Sequence, residues 1–168
     1  MNTRSLSSRI LVIAGSIGML VGAIDPMEGS LLILPGSALW AIGTYLGQAE
    51  RRFITYRVWA FLLIAIGVGS LWGLSAVGGF GGTSGRSMWW GLLLLPYLAG
   101  WLMAICGPGN PRWFSVLGIA VGVWYLALAG IVLTRQGQGG WAILVILAAT
   151  GTLAMAGCIY RLWNGMRT

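Results

Sequence analysis

The sequence predicts an all-α integral membrane protein, a six-transmembrane-helix bundle with short loops and cytoplasmic N- and C-termini. Three observations predict it. Hydrophobic residues fill 58% of the 168 positions and charged residues only 8%, against about a quarter charged in a soluble domain. Six apolar runs follow one another, each near the roughly 20 residues that cross a bilayer, with no acid and no arginine away from their ends. Eight of the ten arginines fall on one side of the alternation that those runs create. The whole chain, 1–168, reads as a single transmembrane domain.

The first run, Ser7–Ile24, follows Arg4 and Arg9. With Val21-Gly22-Ala23 at its end it has the outline of a signal peptide, but we expect it to be retained as a helix. Ala14, Gly18 and Gly22 are spaced to form a small-residue stripe along it, which lets a neighbouring helix approach closely. The second run is Ser30–Gly47. Ahead of it stands Asp25-Pro-Met-Glu28. This string suits a helix start, with Asp25 as N-cap, Pro26 in the first position and Glu28 in the third. An acidic ion- or proton-binding pair on the outer side is the functional alternative, since neighbouring carboxylates share a charge.

Inside the second run Pro35 leaves the carbonyl of Leu31 without its helical donor. Trp40 then lies near mid-membrane, and Gly43 and Gly47 carry another stripe. The third run, Val58–Gly78, has Ala65, Gly69 and Gly73 at the same spacing. Before it stands Glu50-Arg51-Arg52, with Arg57 close by. Arg51, Arg52 and Arg57 read as contacts to anionic phospholipid headgroups or to a partner protein. The segment Gly78–Arg86 is a glycine-rich tether. It lacks the Lys-Ser/Thr that a phosphate-binding loop needs.

The fourth run, Met88–Cys106, contains Pro96, which frees the carbonyl of Leu92, and Trp101. Leu31–Trp40 and Leu92–Trp101 align with identities at both prolines and both tryptophans. The helices that follow also match, Ile64–Val68 with Ile119–Val123. The pattern suggests a duplicated helical hairpin in parallel orientation. Gly107–Pro111 forms a tight turn. The fifth run, Phe114–Leu133, carries Gly118, Gly122 and Trp124, and the sixth is Trp141–Tyr160. Trp59, Trp72, Trp89, Trp90, Trp113, Trp141 and Trp163 sit near span ends as interfacial aromatics.

The arginines orient the bundle. Arg4, Arg9, Arg51, Arg52, Arg57, Arg112, Arg161 and Arg167 fall on one face, and only Arg86 and Arg135 on the other, which places both termini in the cytoplasm. A multi-pass protein of the inner (plasma) membrane is the expected setting. The arginine, glycine and tryptophan content points to a bacterial source. The net charge of +7 is absorbed by these topology determinants and implies no nucleic acid.

Several chemistries are excluded. There is no histidine, so Ser-His and Cys-His catalysis, including that of the rhomboid proteases, has no base. There is no lysine for a Schiff base. Three scattered acids do not make a carboxylate-bridged metal site. Cys106 and Cys158 lack the C-x-x-C spacing of thiol oxidoreductases and read as small packing residues. No enzyme activity, cofactor or metal is expected.

Two readings of function remain. The first is a non-catalytic accessory, assembly or scaffold subunit of a membrane complex, partnered by another membrane subunit or by itself. The second is a small transport or binding component for a neutral or lipophilic solute, with Ser37, Trp40, Tyr97, Trp101 and Trp124 lining its pocket. In size, span number and termini, though in no sequence motif, the chain resembles the substrate-binding subunits of energy-coupling-factor vitamin transporters. That resemblance implies the second reading.

Overall fold

A computed structural model of the chain describes residues 3–23, 29–79, 88–108, 110, 112–135 and 141–164. Among them all regular structure is helical. The elements are α1 (Thr3–Gly22), α2 (Ser30–Leu46), α3 (Arg51–Ala76), a 3-10 helix (Met88–Leu94), α4 (Leu95–Cys106), α5 (Arg112–Arg135) and α6 (Trp141–Asn164). Every apolar run of the sequence thus contains a helix. Three helical segments are long and apolar enough to cross a membrane, Arg51–Ala76, Trp113–Ile131 and Leu144–Asn164. Leu6–Gly22, Ser30–Leu46 and Trp90–Cys106 are apolar but shorter. The 17 residues of α2 rise only about 25 Å against a hydrocarbon core of about 30 Å.

Two boundaries depart from expectation. Helix α3 begins at Arg51 rather than at Val58, so Arg57 lies within it. The fourth run is not one α-helix. Pro96 falls at the second position of α4, where a missing N–H costs nothing, and the residues before it wind as a 3-10 helix. Pro35 sits inside the continuous helix α2. The two halves of the suggested repeat therefore differ in local structure.

The chain divides into two compact units, 1–104 and 105–168. In the first, consecutive helices run antiparallel. Ser8 Oγ donates 2.6 Å to the carbonyl of Gly43, tying α1 to α2. Trp72 Nε1 donates 3.3 Å to Ser30 Oγ, tying the end of α3 to the start of α2. Tyr56 OH donates 2.9 Å to the carbonyl of Met103, tying α3 to α4. The α1–α2 seam is backbone against backbone. A Cβ on Gly15 would lie 2.5 Å from the carbonyl oxygen of Gly36 and 2.6 Å from the amide nitrogen of Trp40. Gly22 abuts Gly29 and Ile33, and Gly43 abuts Leu11 and Val12. The stripe on α1 is therefore Gly15, Gly18 and Gly22, and Ala14 is exposed.

The face of α3 also differs from the small-residue stripe. Its buried residues are Arg57, Ala60, Ile64, Gly67, Val68 and Leu74. Gly100 of α4 packs on Ala60 and Ile64, and Gly67 takes the Tyr97 backbone against it. Among the described residues, nothing lies within 4 Å of where a Cβ on Gly69 or Gly73 would stand. In the second unit α5 and α6 are antiparallel, with Gly122 against Gly151 and Met155, and Gly118 against Ile105 and Cys158.

Candidate functional site

In the first unit the expected pocket residues are core residues. Trp40 is 0% exposed, Ser37 0%, Trp101 2% and Tyr97 8%. Ser37 Oγ donates 2.8 Å to the carbonyl of Leu34, so its hydroxyl serves its own helix. Trp124 does not join them. It lies on α5 in the second unit and is 45% exposed. The inward face of α5 is set by Phe114, Gly118, Gly122, Tyr125 and Ala129, and one residue is a 100° turn of the helix, so Trp124 faces outward while Tyr125 is buried.

Arg57 is the polar centre of the first unit, and the sequence reading misplaces it. It is 5% exposed, not an outward headgroup contact. Its guanidinium carbon stands 4.2 Å from the centroid of the Trp40 ring. Its Nη1 donates to Thr44 Oγ1, and Thr44 in turn donates 2.8 Å to the carbonyl of Trp40. A cation on an indole face with little water around it is worth about 2 kcal/mol. The reason for the inward turn is the helix start: beginning at Arg51, α3 carries Arg57 round to the side of Ala60 and Ile64. Arg51 and Arg52 stay exposed. Arg52 pairs with Glu50 at 2.6 Å, both largely in solvent, a geometry worth under about 1 kcal/mol. The Asp25/Glu28 pair lies outside the described residues, and the described part of α2 starts with Gly29 in its N-cap position.

The second unit holds a constellation that spacing along the chain does not reveal. Cys106 ends α4 and Cys158 lies on α6, 52 positions away, yet their sulfurs are 3.2 Å apart. Cys106 Sγ also lies 3.6 Å from the carbonyl of Ala154. One turn beyond Cys158, Arg161 donates to the carbonyl of Asn110 and to Ser115 Oγ. Asn110 Nδ2 donates 3.2 Å to the carbonyl of Ile105, which closes the turn after α4. The two cysteines therefore pack directly against each other. The one signal for this in the sequence is a glycine beside each sulfur, Gly118 and Gly157, and it is legible only once the helices are paired.

No known protein family, curated protein sequence or solved structure matches this chain. Fold and sites define a class: a helical protein suited to membrane association, packed through small residues, with a buried arginine–tryptophan cluster in one unit and a thiol pair in the other.

Proposed function

We propose that the chain is a six-span protein of a bacterial inner (plasma) membrane, with both termini cytoplasmic, acting as a non-catalytic accessory, assembly or scaffold subunit of a membrane complex. One observation carries this reading. The polar side chains of Ser8, Arg57 and Tyr56 and the two deep tryptophans are spent on helix–helix packing, while large apolar side chains cover the outward faces. On α1 alone Ile10, Ile13, Ile17 and Val21 are each about half exposed. What such a protein offers its surroundings is apolar surface for lipid or a neighbouring subunit. Arg51 and Arg52 would meet anionic headgroups at its cytoplasmic edge.

A second reading has its own support. The Trp40 indole nitrogen is buried with no hydrogen-bond partner among the described residues, and such a donor favours an acceptor on a small neutral or lipophilic molecule. Native mass spectrometry on gently extracted protein separates the two. The scaffold reading expects a larger assembly with a second polypeptide, lost when Ile13 and Ile17 become alanine while thermal stability is kept. A monomer or small homo-oligomer that holds a stoichiometric small molecule, released by Trp40→Phe, would replace it with the binding reading.

A further inference from the structure

We infer that Cys106 and Cys158 form a reactive dithiol that exchanges with small anionic disulfides entering the cavity beside Arg161. The inference stands on the second unit alone and does not need the scaffold reading.

Four observations support it. The sulfurs at 3.2 Å need close by only about 1 Å to reach the roughly 2.05 Å of a disulfide. The seat of each sulfur is cleared by a glycine: a Cβ on Gly157 would lie 3.0 Å from Cys106 Sγ, and one on Gly118 would lie 2.7 Å from Cys158 Sγ. The two thiols are unequally accessible. Cys158 is fully buried, whereas Cys106 is part-exposed and lines an open cavity of about 660 Å³ together with Asn110, Ser115, Tyr160, Arg161 and Asn164. Finally, Arg161 lines the cavity, no Asp or Glu is among the residues lining it, and none occurs anywhere in residues 105–168. The guanidinium at that cavity therefore favours an anion.

The asymmetry sets the order of steps. Cys106 attacks one sulfur of the incoming disulfide. The S–S bond of that molecule breaks, a mixed disulfide forms on Cys106, and the first small thiol leaves with one proton. Cys158 then attacks Cys106 Sγ. The Cys106–Cys158 bond forms and the second small thiol leaves with the other proton. The protein loses two hydrogens and the small disulfide gains them. Run backwards, the same exchange lets small thiols reduce the pair.

The test uses the full chain in detergent, equilibrated in mixtures of reduced and oxidised glutathione, quenched by alkylation and weighed intact. The expected result is one transition from two alkylatable thiols to none, with the loss of two hydrogens. Cys158→Ser should hold a glutathione adduct on Cys106, and Cys106→Ser should not react. Should Cys158→Ser unfold, Cys158→Ala gives the same trapped adduct. Arg161→Gln should slow reaction with oxidised glutathione roughly tenfold while leaving the neutral hydroxyethyl disulfide unaffected. Two thiols that stay alkylatable throughout, or no adduct on Cys106 in a folded Cys158 variant, would overturn the dithiol. Equal slowing of both disulfides by Arg161→Gln would overturn the anionic ligand.

Discussion

The α1–α2 and α5–α6 pairs are both antiparallel and both bring backbone against backbone at glycines, Gly15 on Gly36 and Gly122 on Gly151, but the glycine beside the thiol pair closes on different atoms. At Gly15 the nearest neighbours are the Gly36 carbonyl and the Trp40 amide. At Gly118 they are the ends of two side chains, Ile105 and Cys158. Backbone does not move aside for a methyl group, whereas a side chain can change rotamer. The first seam is thus a rigid spine for the buried Trp40–Thr44–Arg57 cluster. The second is as close at Gly122, and only its Gly118 end, where two sulfurs meet beside a cavity, rests on side chains.

The sharpest way to break that comparison is one methyl group. Gly15→Ala should cost about 3 kcal/mol or prevent folding, and Gly118→Ala about 1 kcal/mol, read as thermal or denaturant unfolding in detergent. Gly73→Ala, with no described atom within 4 Å of the added methyl, should gain about 0.5–1 kcal/mol from helix propensity alone. Equal losses at Gly15 and Gly118 would erase the distinction between the two contacts.

Next in size is the arginine. Arg57→Met should lose about 2 kcal/mol, because the cation leaves the Trp40 face and Thr44 loses its donor. Arg57→Lys should recover little, since a compact ammonium does not stack as a planar guanidinium does. Arg51→Met, on the exposed edge, should stay within about 0.5 kcal/mol of the parent in the same assay. A neutral Arg57→Met would mean that the cluster does not anchor α2 to α3.

A gain of similar size to the Gly118 loss is expected at the turn between those helices. Gln48 has φ of 51°, the left-handed region. Gln48→Gly should raise stability by about 1 kcal/mol, measured as a shift in the unfolding midpoint. It sharpens the comparison by showing how firmly the first unit holds a strained residue in place.

The helices themselves were legible in the sequence. Each apolar run contains a helix, though α3 starts seven residues before its run and the fourth run divides into a 3-10 helix and α4. Trp40, Trp101, Ser37 and Tyr97 are buried. Arg57, Trp124 and the glycine stripe of α1 were not legible in the same way. Arg57 precedes the apolar run of α3, where a charge usually marks a span end, yet it lies within the helix. Trp124 and Ala14 each stand one residue from the inward face of their helix.

A physical reason divides the two sets. The length of an apolar run is a local property, because every backbone polar group in lipid must be satisfied within its own helix. The sequence by itself therefore determines that the chain is helical and where the helices lie. Which face of a helix points inward is different. These helices are apolar on nearly all sides, so hydrophobicity does not mark a face. The choice falls to how closely two backbones can approach. The tertiary structure made that choice at Gly15 against Gly36 and at Gly122 against Gly151, and so it alone turned Arg57 inward onto Trp40 and brought Cys106 to Cys158.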